Sequence, residues 1–173
     1  MILNYSLACD IAELTHLINQ GGYSVNRLLG VFCDTIAAQT NITVPDDLTD
    51  DERAIIDAAV AAYDPLPIAK AALTARLHDM CEEYIYAHYD NARQASLNAL
   101  LTEALMMSYP NRMMYIGQAL AWIKACIAYY YTISDQIDAA ASVEVVNGIT
   151  WDFSQFDATD PQITLRDASN MTT

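Results

Sequence analysis

Between Ile68 and Ser108 the chain carries no glycine and no proline, and its apolar residues recur at helical spacing. Leu73, Leu77, Met80, Tyr84 and Ala87 make one stripe, widened by Cys81, Ile85, Ala92, Leu97, Leu100, Leu101, Ala104 and Leu105. Tyr109-Pro110-Asn111 ends the run, and a second long helix follows. In it Met113, Ile116, Leu120, Ile123, Ile127 and Tyr130 alternate at three and four residues, with Ile137 in the same register. That seam is the pattern of a helix pairing with a neighbour. At 1.5 Å per residue, forty residues reach roughly 60 Å. A chain bound by these two stretches is expected to be mainly α. The predicted architecture is a helical bundle built on a long antiparallel helical hairpin, with a break near Asp90-Asn91 as a variant that splits one arm.

The remaining elements are read against that spine. Leu7, Ile11, Leu14 and Ile18 predict a helix near 5–20, stopped by Gly21-Gly22. Ser24 as a cap and Leu28, Leu29, Phe32 and Ile36 predict a second near 24–39. Residues 40–48 read as a loop. Thr49-Asp50-Asp51-Glu52 forms a capping box for a third helix near 50–63, with Ile55, Ile56, Ala59, Val60 and Tyr63 on its apolar side. Asp64-Pro65-Leu66-Pro67 breaks it, and the two long helices occupy 67–108 and 111–142. After Asn147-Gly148 the period changes. Ile149, Trp151 and Phe153 alternate with Thr150, Asp152 and Ser154, and Ile163 and Leu165 alternate again. The expectation is a helical domain over 1–147 and a short C-terminal β-ribbon or extended arm over 148–173. Cutting after Gly148 is then expected to leave a folded bundle, whereas an unfolded product would mark the arm as core.

Composition narrows the function classes. The chain has 173 residues, 54% of them hydrophobic and 17% charged, which excludes a disordered chain. Lys+Arg is 8 against Asp+Glu 22, giving −14, the wrong sign for a nucleic-acid binder. The start, with Asp10 and Glu13 among its apolar residues, has no basic region and does not read as a signal peptide. No membrane span is expected, because Lys124 and three tyrosines interrupt the closest stretch, Ala119 to Ile133. Cys9, Cys33, Cys81 and Cys126 form no CxxC pair and read as buried thiols of a reducing compartment, with disulfides as the alternative after release.

No constellation points to catalysis. His78, Cys81, Glu82 and His88 share part of a helix but make an incomplete metal-ligand set, and no cofactor is implied. Glu13 and His16 lack the second Glu-x-x-His copy of a di-iron bundle. GxSxG, Walker A and GxGxxG are absent. The acidic load reads as solvated surface, with a phosphate-mimicking inhibitor as the sharper alternative. Among the eleven tyrosines, Tyr129-Tyr130-Tyr131 cannot all face one seam, since consecutive helical positions diverge by about 100°. The candidate partner-binding residues are therefore Tyr129 and Tyr131, with Trp151, Phe153, Phe156, Ile163 and Leu165 on the arm.

Two stretches carry a resemblance. One is Ala87-His88-Tyr89-Asp90-Asn91-Ala92-Arg93-Gln94-Ala95-Ser96, with Asn111-Arg112-Met113-Met114-Tyr115-Ile116 and Ala121-Trp122-Ile123. The other is Thr150-Trp151-Asp152-Phe153-Ser154-Gln155-Phe156-Asp157, with Asp160-Pro161-Gln162-Ile163-Thr164. Together they resemble small helical structural proteins encoded among the tail and fibre genes of tailed bacteriophages, over roughly the second half of the chain. The resemblance implies a non-enzymatic virion subunit made in the host cytoplasm, a tail or fibre adaptor. Its expected partners are copies of itself and other virion proteins, with no nucleic acid and no membrane. A fibre-assembly chaperone or an acidic inhibitor of a host enzyme is the alternative. A helical enzyme is the third reading and would need a pocket with converging polar groups.

Overall fold

The structure, a computed structural model, describes residues 1–6, 9–34 and 39–171. Its elements are β1 (Ile2–Tyr5), α1 (Ile11–Gln20), a 3-10 turn (Val25–Arg27), β2 (Gly30–Asp34) and β3 (Gln39–Thr43). Then come α2 (Asp50–Ala62), α3 (Leu66–His88), α4 (Asn91–Met107), α5 (Pro110–Ala139), α6 (Val143–Gly148), a 3-10 helix (Phe153–Thr159) and α7 (Leu165–Asn170). The protein is mainly helical, with a small three-stranded antiparallel sheet. It divides into two compact units, Met1–Ala69 and Lys70–Thr173, and the division falls in the first turns of α3. The expected boundary at 147/148 does not occur, because the segment after Gly148 belongs to the second unit.

In the first unit the sheet order is β1-β3-β2, with Leu3 opposite Ile42 and Val31 opposite Ile42 on the other side. Thr40 and Ile42 of the central strand and Val44 just after it are buried. Ile42 and Val44 meet Leu14 and Ile18 of α1 and Ile56 and Ala59 of α2 in one core, closed by Tyr23 and Tyr63. Helix α1 starts where Asp10 accepts from the Glu13 N–H at 2.9 Å. It stops where Gly22 takes φ +100°, a conformation that suits glycine alone. The Tyr23 N–H then closes onto the Ile18 carbonyl. The Thr49–Glu52 capping box opens α2 as expected, and Glu52 also pairs with Arg27.

Two expectations fail here for one reason. The helix expected at 24–39 is a 3-10 turn followed by β2 and β3, and the loop expected at 40–48 begins with the central strand. Gly30 weakens a helix, and Val31-Phe32-Cys33 and Thr40-Asn41-Ile42-Thr43 are β-branched or aromatic runs with period two. Leu28 and Val31 do pack on the core, but Phe32, which a helix would have buried, is 62% exposed. The helix near 5–20 is likewise shorter: Tyr5 ends β1, and α1 begins only at Ile11. Leu7 and Ile36, assigned to apolar stripes, lie outside the described residues.

In the second unit the single helix expected at 67–108 is two. Tyr89-Asp90 interrupts it, and Asp90 caps α4 by accepting from the Arg93 N–H at 2.7 Å. The side chains of Arg93 and Gln94 reach back to the carbonyls of His88 and Tyr89, freed by the break. Ser108 ends α4 in the left-handed conformation at φ 57°, and Pro110 opens α5. Contacts to α5 step backward along α3. Lys70 donates to the Asp138 carbonyl, the His78 ring meets Tyr130, and Tyr84 meets Trp122. The α5 seam is displaced from its expected register. Ile116, Ile123 and Ile137 are buried, but Ala119, Trp122, Cys126 and Ile133 are the other buried apolar members, and Ile127 is exposed. No helix among the described residues is long and apolar enough to cross a membrane.

The strand assignment predicts contrasting losses. Ile42→Ala should cost about 3 kcal/mol in urea unfolding, since it leaves a cavity beneath the central strand. Phe32→Ala should stay within about 0.5 kcal/mol, as an exposed substitution does. A larger loss for Phe32→Ala than for Ile42→Ala would restore the helical reading of 24–39.

Candidate docking surface

The C-terminal residues expected to form a free arm are packed into the second unit. Phe153 and Ile163 are buried among Leu77, Tyr89, Leu97, Trp122 and Cys126. Trp151, Phe156, Leu165 and Tyr129 are half-buried against the same core. Among the described residues after Gly148 there is no strand. Ile149 and Asp152 are extended, Asp152 caps a 3-10 helix by accepting from the Ser154 N–H, and Thr164 caps α7 by accepting from the Asp167 N–H. The period-two alternation at 149–154 is thus an extended run that turns into a short helix. Its side chains are held by rings rather than by a strand partner. Tyr129 stands edge-on to Phe153 at 5.4 Å and to Phe156 at 5.7 Å, while Tyr84 stacks on Phe153 at 5.6 Å.

Polar groups fix the segment. Trp122 donates its indole N–H to the Phe156 carbonyl at 2.9 Å. Asp160 accepts from the Tyr89 hydroxyl at 2.8 Å, from His88 Nδ1 at 2.8 Å and from the Gln162 N–H at 2.9 Å. Tyr89 in turn accepts from the Ile163 N–H at 3.1 Å, and Arg93 donates to the Ile163 carbonyl. Burial works to raise the Asp160 pKa, but these donors outweigh it and hold the carboxyl below its ordinary value. Burial, with the Asp160 carboxylate beside it, pushes the Tyr89 phenol up to about 12. Burial and the short bond to Asp157 likewise push up Tyr84. At the chain's far end the buried Arg112 donates from Nε to the Met171 carbonyl and from Nη2 to the Ser169 carbonyl, both at 2.8 Å. Its third nitrogen faces Glu103 at 3.1 Å.

What stays open is different surface. Tyr131, alone of the seven candidate residues, is largely exposed, at 60%. It stands on a groove of about 280 Å³ with Tyr130, His78, Glu82, Tyr86 and Gln94. A second, shallower groove follows Gln118, Ala121, Trp122 and Ala125 beside Phe156 and Pro161. Four exposed apolar side chains of the second unit lie near the turn between α4 and α5. Leu105 is 62% exposed, Met106 78%, Met107 59% and Met114 64%. Sequence reasoning placed Leu105 in an apolar stripe and did not single out the methionines. The available signal was three apolar residues in succession at a helix end, which no single neighbour can cover. Glu13 and His16 are exposed, as is His78, whereas Cys81 is buried. Among the described residues no three His, Cys, Asp or Glu side chains gather to hold a metal.

The packed tail generates two expectations. Removing residues 149–173 strips Phe153, Ile163 and Ala168 from the core and should abolish the cooperative urea transition of the second unit. Each buried large apolar side chain contributes roughly 2 kcal/mol, against a typical total of 5–15. A truncated chain that kept its transition would make the tail an arm after all. The lowered Asp160 carboxyl contributes stability above the unfolded value of about 3.9, and this is lost as pH falls through its folded value. Asp160→Asn should therefore lower the urea midpoint at pH 7 and flatten its decline in acid. An unchanged acid limb would place that decline on other carboxylates.

Scanned against protein-family models, and searched against curated proteins and solved structures, the chain finds no match in any of the three.

Proposed function

We propose that this chain is a non-enzymatic structural subunit of a tailed-bacteriophage virion, a tail or fibre adaptor that works by self-association and docking. In this reading α3 and α4 against α5 form a long hairpin, the packed tail rigidifies it, and the α4–α5 turn meets a second copy. The carrying observation is the exposed apolar tip of Leu105, Met106, Met107 and Met114. A patch of that kind on a small unit marks an interaction site, and methionine adapts to a partner's contour.

Charge favours a second copy as the occupant. The chain carries −14, so two copies repel over most of their surface. From Gln94 to Ile123, however, the only charged residues are Glu103 and Arg112, and they face each other at 3.1 Å. The tip is the stretch over which like-charged copies approach without penalty. The resemblance of residues 87–123 and 150–164 to phage tail and fibre proteins supplies the setting.

Sedimentation equilibrium tests the interface. The wild-type chain should self-associate at micromolar concentration. Met106→Glu with Met107→Glu should be monomeric with unchanged helicity and urea midpoint, because both side chains are exposed. A monomeric wild type would overturn the interface. Quantitative mass spectrometry of density-purified particles tests the setting. A fixed copy ratio to the tail proteins supports a virion subunit. Absence from particles, with expression in infected cells, would move the reading to an assembly chaperone or an acidic inhibitor.

A further inference from the structure

Two thiols meet at the edge of the sheet in the first unit. Cys33 sits on β2, an edge strand, directly opposite Thr40 of β3. Cys9 lies ahead of α1, and its backbone N–H donates to the Cys33 sulfur at 3.0 Å. The Thr40 hydroxyl donates to the Cys9 sulfur at 3.2 Å. One residue of the central strand is thus paired in register with one cysteine and hydrogen-bonded to the other, which brings both sulfurs to the same place. Both cysteines are free and half-buried, so solvent reaches them. The second pair behaves differently. Cys81 of α3 and Cys126 of α5 are also neighbours, but both are buried, and burial pushes the Cys126 thiol up to about 12.

We propose that Cys9 and Cys33 are a redox modification site that closes to an intramolecular disulfide by exchange with a small disulfide such as oxidised glutathione. One cysteine thiolate attacks a sulfur of glutathione disulfide. The glutathione S–S bond breaks, a mixed disulfide forms on the protein, and one glutathione thiolate leaves. The second cysteine thiolate attacks the protein sulfur of that mixed disulfide and releases the other glutathione. The protein gives up two electrons and two protons, and the oxidant is reduced to two thiols. The bond ties the segment before α1 to the β2 edge across 24 residues of sequence. Burial, then the neighbouring Cys33 and the Asp10 charge, hold the Cys9 thiol above its ordinary value against the opposing Thr40 hydrogen bond. Closure should therefore quicken as pH rises from 7 towards 9, because the thiolate is the attacking species. This site is independent of the tip and of the virion reading.

The test uses the full chain equilibrated against graded ratios of reduced and oxidised glutathione. It is quenched with acid, unfolded, alkylated and mapped by peptide mass spectrometry without reduction. The expected result is one linked peptide pair, Cys9 with Cys33, and a loss of two alkylatable thiols while Cys81 and Cys126 stay alkylatable. Cys33→Ser should halt at the mixed disulfide on Cys9, with no linked pair. Four alkylatable thiols at the most oxidising ratio would overturn the proposal. So would a Cys9–Cys33 link found only between chains, or a Cys81–Cys126 link that forms first in the folded protein.

Discussion

A single carboxylate organises the second unit. Asp160 is largely withdrawn from water, and an ion in that position is tolerated only if its oxygens are met by donors. Three groups meet them: the Tyr89 hydroxyl, His88 Nδ1 and the Gln162 N–H. His88 and Tyr89 are the residues at which α3 gives way to α4, so the tail is fastened to the break in the long helix. The break supplies the reason for the fastening. A continuous helix would have tied up the carbonyls of His88 and Tyr89, which Arg93 and Gln94 now satisfy. Arg93 then has its other nitrogen free for Ile163. Trp122 packs under this arrangement, with the rings of His88, Tyr89 and Tyr84 at 5.0, 5.6 and 5.7 Å. Aromatic area, hydrogen bonds and chain topology therefore converge on one node.

The sequence made some of this legible and hid the rest for identifiable reasons. The capping box at Thr49, the glycine stop after α1 and the proline start of α5 are local, and each appears where residue chemistry puts it. The α5 seam was readable as a helix face, but its register was not. Ile127 and Cys126 differ by 100° around the helix, and hydrophobicity alone prefers the isoleucine. The strands were lost because Leu28, Leu29 and Phe32 happen to fit a helical spacing, while the better evidence lay in the β-branched alternation of Thr40, Ile42 and Val44. The tail was misread in the opposite direction. Trp151 and Phe153 do alternate, but alternation describes an extended backbone and not what covers it. The break was legible only as a variant near Asp90-Asn91, since an aspartate can cap a new helix as well as ride on a continuous one, and Asp160 as its partner, 71 residues away, has no signature in a single sequence.

The same distinction separates the expected docking residues from the observed surface. Tail aromatics look like anchors for a partner because they are large, apolar and follow a helical body. In the structure the rings of Phe153, Phe156 and Tyr129 satisfy one another, and Trp151 lies beneath the Arg76 guanidinium. Apolar character is a demand for cover, and the folded chain meets that demand first. Among the side chains it leaves uncovered are Leu105, Met106 and Met107, where three successive residues of a final helical turn point in three directions.

The acidic composition follows from the same architecture. Short helices need many starts, and most starts here carry an acid or hydroxyl cap. Asp10 caps α1, Thr49 with Glu52 caps α2, Asp90 caps α4, Ser142 caps α6 and Thr164 caps α7, while Asp64 accepts from Leu66 at the start of α3. Asp50, Asp51, Glu144 and Asp167 sit in first turns, where the positive end of a helix favours them. Much of the negative charge is thereby dispersed along the chain as punctuation, not gathered on one face as a copy of a phosphate backbone. Helix α5 is the exception. It begins after a left-handed Ser108 with Pro110 in its first turn and no side-chain cap, so its start brings no acid with it. Proline stands there in place of a carboxylate, and from Gln94 to Ile123, across the turn between α4 and α5, Glu103 and Arg112 are the only charged residues.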